Sequence, residues 1–336
     1  MADPSASGDR RDDPRVITDG LSGRTVFVAP ARAGRPDDKA LATAAGSAAA
    51  DGARSWCPFC AGNEGRTPPD LLRAPADRAW PWHARIVPNR YPVTTDSRAA
   101  AADGADRPAY GVHDVVIESA RHERSILAVE PEEWRDVWAL CQARIAGLAA
   151  EPGLAWATVF KNSGGQAGAS LEHVHSQLVG LDFVPPVVAA KLDAVAREPH
   201  AFAELVAGAE REGRIVAEEA GLVALVPPAP RQPLEAWIVP RGAAPAFRAA
   251  AAAEVAAVAD LTRWFVGRLE RIVPGAAYNW WLHELPFRGP AAEAAAWRWH
   301  LEILPRLSPL AGFELGTGCH ISTLGPAAAA RLLREA

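Results

Sequence analysis

The sequence predicts an α+β protein that consists of two similar halves with mostly antiparallel sheets. Two observations predict this fold class. Predicted strands are joined by proline-bounded turns, and a strand–strand–helix–strand–strand pattern occurs twice along the 336 residues. We therefore expect an internal duplication, with an N-terminal half at residues 16–185 and a C-terminal half at residues 186–336. Residues 1–15 are charged and lack periodicity, which is typical of a disordered tail.

The repeat is preceded by a short strand, predicted at residues 24–30 because it is β-branched and stops at Pro30. A connection rich in small residues follows at 31–55. The first copy is predicted to contain strands at 85–88 and 113–118, a helix at about 131–150, and strands at 157–161 and 173–179. The second copy is predicted to contain strands at 224–227 and 235–240, a helix at about 244–271, and strands at 278–282 and 299–304.

Composition excludes several classes of protein. The formal charge of −5 argues against binding of polymeric nucleic acid through a basic surface. No run of about 18 uncharged apolar residues occurs, so we expect no membrane span. The first residues lack the apolar core of a secretory signal, and four cysteines are too few for a disulfide scaffold. These features predict a cytoplasmic, soluble protein that could bind a metal.

A glycine-rich turn is predicted between two strands of the first copy. Gly164 and Gly168 lie in this turn, where successive backbone N–H groups can bind an anion. Asn162 precedes the turn and Ser170 follows it. Lys161, one of three lysines in the chain, is interpreted as a surface residue.

The strand after this turn carries two histidines. His173 and His175 are two residues apart, so both side chains and that of Gln177 are predicted to project from one face. A neutral imidazole is nucleophilic near pH 7 and can form a transient phosphoramidate. Such a pair can also be structural or bind a metal. The adjacent glycines favour a phosphate-handling site.

Cys57 and Cys60 have the spacing of a zinc knuckle and need two further ligands to complete a tetrahedral site. The alternative is a pair of buried thiols or a redox pair. The candidate further ligands are His83, His113, His122 and His173. The other two cysteines, Cys141 and Cys319, are interpreted as ordinary packed residues.

The second copy carries a different polar set. By the repeat, His300 and Glu302 occupy the places of His173 and His175, so the second half lacks an imidazole at the nucleophile position. Together with His283, these residues could bind a metal or form a packed polar cluster.

Several motifs, in order along residues 16–335, resemble those of the galactose-1-phosphate uridylyltransferase family within the histidine-triad superfamily. The motifs are Cys57-Pro-Phe-Cys60, Val87-Pro-Asn-Arg-Tyr-Pro92, Gly111-x-His-Asp-Val-Val-Ile-Glu118, Gly168-Ala-Ser-Leu-Glu-His-x-His-Ser-Gln177, Leu301-Glu-Ile-Leu-Pro-Arg-Leu307 and Ala311-Gly-Phe-Glu-Leu-Gly-Thr-Gly-Cys319. The resemblance implies two histidine-triad-like halves, a homodimer and exchange of a nucleotidyl group through a nucleotidyl-histidine intermediate.

The resemblance also implies roles for individual residues. His175 matches the nucleophile and Gln177 a residue that holds the nucleotide's phosphate, while Ser170 and Asn162 match the phosphate-contacting loop. The nucleotide's base and ribose would lie against Asn89, Arg90 and Tyr91. The structural zinc ligands implied are Cys57, Cys60, His122 and His173.

The chain departs from the family in two places. Some members hold a second metal, to which His283 and His300 would correspond, but Glu302 replaces a histidine and the expected carboxylate falls near Lys191. These departures weaken the case for a second metal. On the sugar side the chain has Phe313 and Glu314 within Gly312–Gly318, which resembles a divergent branch that includes ADP-glucose phosphorylases.

The implied activity is transfer of UMP or AMP between a nucleoside-diphosphate hexose and a hexose 1-phosphate, as in UDP-glucose:galactose-1-phosphate uridylyltransferase. One alternative is an ADP-glucose or other nucleotide-sugar phosphorylase that uses inorganic phosphate. Another is a histidine-triad hydrolase in which water is the acceptor. The third is a zinc-stabilised binding module without catalysis, although the glycine turn and His175 favour an enzyme.

Overall fold

The computed structural model describes residues 13–18, 25–31, 56–77, 82–96, 106–288 and 295–336. The strands are β1 Arg15–Thr18, β2 Thr25–Val28, β3 Leu72–Ala74, β4 Ala84–Pro88, β5 Asp106–Pro108, β6 Gly111–Ile117, β7 Trp156–Ser163, β8 His175–Leu181, β9 Ile215–Glu219, β10 Leu222–Leu225, β11 Ala236–Pro240, β12 Tyr278–His283 and β13 His300–Pro305. The α-helices are α1 Pro131–Ala149, α2 Pro186–Arg197, α3 Ala201–Arg211, α4 Ala252–Ile272, α5 Gly312–Thr317 and α6 Pro326–Glu335. Short 3-10 turns lie at Glu64–Arg66, Ile126–Ala128, Gly165–Ala167 and Phe247–Ala249.

Strands from both halves form one antiparallel sheet. Within the described residues it has ten strands in the order β3-β4-β6-β8-β7-β12-β13-β11-β10-β9. The order β4-β6-β8-β7 of the first half corresponds to β10-β11-β13-β12 in the second, as a duplication predicts. The strands β2, β1 and β5 form a separate three-stranded sheet. The α+β class with antiparallel sheets is therefore confirmed.

The two halves meet where β7 pairs with β12, and we call this pairing the seam. Asn162 lies opposite Asn279 there, and Lys161 lies opposite Trp280. The side-chain amide of Asn279 donates a hydrogen bond of 2.8 Å to Asn162 Oδ1. The seam thus brings residues next to the glycine turn into contact with the second half.

Helices α1 and α4 pack together on one face of the sheet. Pro131 begins α1, and Glu132 and Glu133 lie in its first turn, where carboxylates favour a helix N-terminus. Its apolar residues recur at three- and four-residue spacing, so one face is buried. Trp134 Nε1 donates to Thr262 Oγ1 of α4 at 3.0 Å, which fixes the two helices to each other.

The opposite face of the sheet is covered by α2 and α3, whose Val188, Val195, Phe202 and Val206 are buried against it. A small third cluster packs Phe59 and Trp82 with the two cysteines beside β4 and β6. No described helix combines the length and the apolar character needed to cross a membrane.

Several boundaries differ from the sequence prediction. The segment predicted as a disordered tail includes Arg15, which begins β1. Residues 1–12 of that segment and residues 32–55 of the predicted connection lie outside the described residues. The helix predicted from 244 begins at Ala252, where Glu254 accepts a hydrogen bond from the Ala251 N–H group. The sequence pattern did not predict the strands β1, β3, β5 and β9 or the helices α2, α3, α5 and α6. The boundary between residues 185 and 186 stays a prediction; Pro186 begins α2.

Candidate active site

The glycine turn leads from the seam strand β7 to β8. Gly164 and Gly168 adopt φ values of 83° and 84°, a region that glycine occupies without strain. The N–H groups of Ala167 and Ala169 both donate to the Gly164 carbonyl, which holds the turn in shape. The chain then reaches β8, whose first residue is His175. His173 therefore precedes the strand instead of lying in it, contrary to the sequence prediction.

His175 is held in one orientation by its own neighbour. Its Nδ1 atom lies 2.8 Å from the main-chain carbonyl oxygen of His173, and since a carbonyl only accepts, we assign the proton to Nδ1. A neutral imidazole with its proton on Nδ1 has its lone pair on Nε2. That nitrogen is the atom of His175 that could act as a nucleophile.

Two cavities share His175 in their lining. The larger, about 380 Å³, is lined among others by Asn162, Gly164, Ser170 and Arg124. The smaller, about 130 Å³, contains several apolar and ring side chains and is lined by Pro58, Phe59, Arg66, Thr67, Pro68, Val87, Pro88, Asn89, Arg90, Tyr91, Val115, Ser170, Leu171, His175 and Gln177. One histidine thus borders both a cavity beside the glycine turn and a smaller, more apolar slot.

Gln177 is oriented by His113 on the neighbouring strand β6. The Val93 N–H group donates to His113 Nδ1 at 3.1 Å, which assigns the histidine proton to Nε2. That Nε2 lies 2.9 Å from Gln177 Oε1. The carbonyl end of the amide is therefore engaged by His113, and its NH₂ end is the part left to face a ligand. Asn89 Nδ2 lies 3.0 Å from His113 Nε2, but both atoms are donors in this assignment, so the approach is not a hydrogen bond.

Two cysteines and two histidines form a compact group that could hold a metal ion. The ligand atoms of Cys57, Cys60, His122 and His173 lie within 4.8 Å of one another. The Nδ1 atom of His173 is 3.6 Å from both sulfur atoms, and His122 Nδ1 is 3.3 Å from Cys60 Sγ. Ligands of a tetrahedral zinc ion are separated by about 3.5 Å when the bonds have their usual lengths. The donor set fits a metal ion.

The other ring nitrogen of His173 supports the same conclusion. His173 Nε2 lies 2.9 Å from the Ser119 carbonyl oxygen, so this nitrogen carries the proton and Nδ1 has the lone pair. Burial lowers the pKa of His173 to about 3, which keeps the ring in the neutral form that binds metals. Of the other candidate ligands, His113 contacts Gln177 and His83 pairs with Asp136 at 2.6 Å.

A buried ion pair lies next to β8, the strand that begins with His175. Lys161 Nζ donates to a Glu118 carboxylate oxygen, and Ser176 Oγ donates to the other. Burial raises the pKa of Glu118 and lowers that of Lys161, and the pairing opposes both effects. Lys161 is 2% exposed, so its interpretation as a surface lysine is wrong.

The second half contains its own buried polar group. His283, His300 and Glu302 have ligand atoms within 4.8 Å of one another, and Lys191 lies among them. Burial opposes the charge of Glu302, but its contacts with His283, Lys191 and Arg231 hold the pKa of this carboxyl well below its ordinary value. We call His283, His300, Glu302 and Lys191 the C-terminal cluster.

Other sequence-predicted residues lie apart from the two cavities. Phe313 is exposed and Glu314 is half-buried on α5; neither lines the two cavities, and Gly168 lines neither. Cys141 is buried as expected, whereas Cys319 is exposed, so its interpretation as a packed residue is wrong. The sequence analysis did not identify Arg124 as a cavity residue or Glu118 as the partner of Lys161. The one sequence signal for Arg124 and Glu118 is that each lies in or near a recognised motif.

The chain was compared with known proteins. Residues 9–185 match the family described as galactose-1-phosphate uridyl transferase, N-terminal domain, and residues 109–335 match a domain of unknown function, DUF4921. The chain is 29% identical to ADP-glucose phosphorylase of Arabidopsis thaliana, over 100% of this chain and 99% of the relative. It is 25% identical to galactose-1-phosphate uridylyltransferase of Thermotoga maritima, over 67% and 74% of the two chains.

Solved structures agree with these relatives. The crystal structure of an ADP-glucose phosphorylase from Arabidopsis thaliana with bound ADP-glucose has a TM-score of 0.76 and 28% identity, and covers 96% of this chain and 98% of that one.

Fold, site and relatives define this protein as an enzyme of the nucleotidyltransferase class. The chain belongs to the galactose-1-phosphate uridylyltransferase family, and it resembles the ADP-glucose phosphorylases within it.

Proposed function

We propose that this enzyme transfers a nucleotidyl group from a nucleoside-diphosphate hexose to a phosphate acceptor through a covalent intermediate on His175. The observation that carries the proposal is the position of His175, which borders both cavities with its lone pair assigned to Nε2. The smaller slot is suited to a base and ribose, and the larger cavity to phosphates and the hexose.

The reaction has two steps. In the first, Nε2 of His175 attacks the α-phosphorus, a P–N bond forms, and the bond to the bridging oxygen breaks, so hexose 1-phosphate leaves. In the second, an oxygen of the acceptor phosphate attacks the same phosphorus and the P–N bond breaks. The imidazole returns to its starting state, and no external proton donor or oxidant is needed.

Residues around His175 are proposed to stabilise the charge on the transferred phosphoryl group. The donors would come from the Gln177 NH₂ group, Ser170 and Asn162. N–H groups of the glycine turn would add to them, other than those of Ala167, Gly168 and Ala169, which already donate within the turn. A preorganised donor of this kind contributes about 3–4 kcal/mol of transition-state stabilisation at most. Asn89 and Arg90 in the smaller slot are proposed to contact the nucleoside.

We propose zinc as the ion held by Cys57, Cys60, His122 and His173, since two thiolates and two imidazoles are a usual zinc donor set. Zinc would supply rigidity and no chemistry, because four protein ligands leave no open position. The His173 carbonyl oxygen, which accepts from His175, belongs to one of these ligands.

Inorganic phosphate is proposed as the acceptor and ADP-glucose as the nucleotide sugar. Similarity to an ADP-glucose phosphorylase over the full length of both chains supports this choice. Arg124 in the larger cavity is suited to an incoming dianion. The second candidate is UMP transfer to galactose 1-phosphate or another hexose 1-phosphate, which the uridylyltransferase match over residues 9–185 favours.

The test uses ADP-glucose and UDP-glucose labelled with ³²P at the α-phosphate. After a quench in base, we expect acid-labile label on the wild type and none on His175→Ala. His83→Ala is the matched control, because its partially exposed imidazole pairs with Asp136; it should label normally. Undiminished label on His175→Ala, or no label from either nucleotide sugar on the wild type, would overturn the proposal.

The acceptor is identified by adding phosphate, galactose 1-phosphate or buffer alone to the labelled protein. If phosphate releases the label as nucleoside diphosphate, the enzyme is a phosphorylase. If galactose 1-phosphate releases the label as a new nucleotide sugar, the enzyme is a transferase. Release as the mononucleotide in buffer alone, at the same rate, identifies a hydrolase and contradicts both.

Two further expectations complete the proposal. We propose a homodimer in the cytoplasm, which the family resemblance and the sequence support. Phe313 and Glu314 are proposed to contribute to hexose binding. Light scattering of the purified protein measures the oligomeric state, and cell fractionation measures the location.

A further inference from the structure

The C-terminal cluster places an ammonium group where some relatives bind a metal. Lys191 Nζ lies 2.7 Å from His300 Nε2 and 3.3 Å from His283 Nε2, and it donates to Glu302 Oε1. An ammonium group has three N–H donors and no acceptor. All three donors therefore face the three atoms that would have to ligate a metal ion.

The lone pairs of the histidines are already used. His300 Nδ1 lies 3.0 Å from the Arg298 carbonyl oxygen, so its proton is on Nδ1 and Nε2 accepts from Lys191. His283 Nε2 lies 2.9 Å from Trp281 Nε1 and 3.0 Å from Glu302 Oε1, in addition to its contact with Lys191. A metal ion at this point would have to displace the N–H donors that already face these nitrogens.

The second ring nitrogen of His283 argues in the same direction. A metal-ligating histidine almost always donates its other N–H group to a carbonyl or carboxylate. His283 Nδ1 is buried and has no hydrogen-bond partner among the residues that the structure describes. In the group formed by Cys57, Cys60, His122 and His173, by contrast, His173 Nε2 has a carbonyl partner on Ser119. The two groups therefore differ in the support that a metal ligand needs.

The charges of the cluster are balanced without a metal. Arg231 pairs with both Glu235 and Glu302, and Lys191 pairs with Glu302, so two cations face two carboxylates. Trp237 covers the ammonium group at 4.6 Å and stacks on His300. A divalent ion added here would leave an excess of two positive charges in a buried site.

We propose that the ammonium group of Lys191 replaces a metal ion in the C-terminal half. The full chain then binds one transition-metal ion, at Cys57, Cys60, His122 and His173, and the cluster binds none. Lys191 is the residue that excludes it. Changing Lys191 to a carboxylate removes the competing cation and adds a ligand, so it should create a metal site from the same histidines and Glu302. The proposal concerns metal binding alone and does not depend on the substrate.

The experiment measures metal content by mass spectrometry after incubation with excess Zn²⁺ or Fe²⁺ and gel filtration. We expect about one ion per wild-type chain and about two per Lys191→Glu chain. Arg197→Glu is the matched control, since it makes the same charge change at an exposed position of the same helix; it should keep one ion. Lys191→Met, which offers neither a cation nor a ligand oxygen, tests the loss of the ammonium alone.

Two ions on the wild-type chain would overturn the proposal directly, whether or not any variant folds. A Lys191→Glu chain with a native circular dichroism spectrum and one ion would overturn the assignment of Lys191 as the excluding residue. If Lys191→Glu is unfolded when purified without metal, refolding in Zn²⁺ or Fe²⁺ with uptake of two ions supports the proposal. Failure to refold with either ion counts against it.

Discussion

The ammonium group of Lys161 donates a hydrogen bond of 2.9 Å to the main-chain carbonyl oxygen of His175. The same group is paired with Glu118, and both residues are almost fully buried. The main chain of His175, the proposed nucleophile, is thus fixed to an ion pair in the core. His173 fixes the imidazole from its other side through Nδ1.

We expect Lys161→Met to lower the free energy of unfolding by about 3–5 kcal/mol, because it leaves the buried Glu118 carboxylate without its partner. Urea denaturation measures the change. The double variant Lys161→Met with Glu118→Gln should recover part of the stability, since no unpaired charge remains. It should nevertheless label His175 more slowly than the wild type. Wild-type stability of the single variant would show that the pair is not needed for the fold.

His113 is expected to act as a positioning residue through Gln177. His113→Phe removes the donor to Gln177 Oε1 and should lower the rate of His175 labelling roughly 10- to 100-fold, a range typical of supporting hydrogen bonds. The KM for the nucleotide sugar should change less than kcat, and His113→Gln, which keeps a donor, should recover part of the rate. Equal losses in kcat and kcat/KM for Gln177→Ala, without any loss for His113→Phe, would contradict this role.

Removal of the proposed metal from Cys57, Cys60, His122 and His173 should inactivate the enzyme and lower its Tm together. The reason is that the His173 carbonyl oxygen orients His175, so loss of the metal would leave the His175 imidazole free to rotate. A chelator titration followed by thermal unfolding and His175 labelling measures both. Cys57→Ser should behave like the stripped protein, and the exposed Cys319→Ser should behave like the wild type. Normal labelling of the metal-free protein would show that the metal is not needed to orient His175.

The two glycines of the active-site turn should respond differently to alanine. Both have positive φ, which costs an alanine about 1–2 kcal/mol. A Cβ at Gly164 would also lie 2.9 Å from the Cβ of Ala277, whereas one at Gly168 meets no atom within 4 Å. Gly164→Ala is therefore expected to lower the free energy of unfolding more than Gly168→Ala, as measured in urea. Equal losses would mean that the contact with Ala277 relaxes without cost.

The sequence predicts the fold class and most core strands because periodicity and proline-bounded turns are local signals. It could not predict that both halves share one sheet, since pairing of Asn162 with Asn279 depends on residues more than a hundred positions apart. The missed helices α2 and α3 lie between the two copies, so the repeat gave no template for them. The helix was predicted to start too early, at residue 244, because the segment is rich in alanine, which favours helix. Pro245 prevents the helix from forming there.

The candidate site shows a similar division. His175, Cys57, Cys60 and His173 are motif residues, whereas the family resemblance alone selects His122 among the candidate histidines; the structure brings the four ligand atoms together. The burial of Lys161 could not be foreseen, because its partner Glu118 is distant in sequence and a lone lysine is usually exposed. The same holds for Lys191, whose position at the centre of the C-terminal cluster depends on how α2 packs against the sheet.

The seam has a consequence for the evolution of the chain. If either half were expressed by itself, β7 or β12 would become an edge strand with a row of backbone groups lacking partners. Such a half would associate with another copy or aggregate. The duplicated halves therefore protect each other, and a lineage that separated them into two genes would have to keep both products together as a heterodimer.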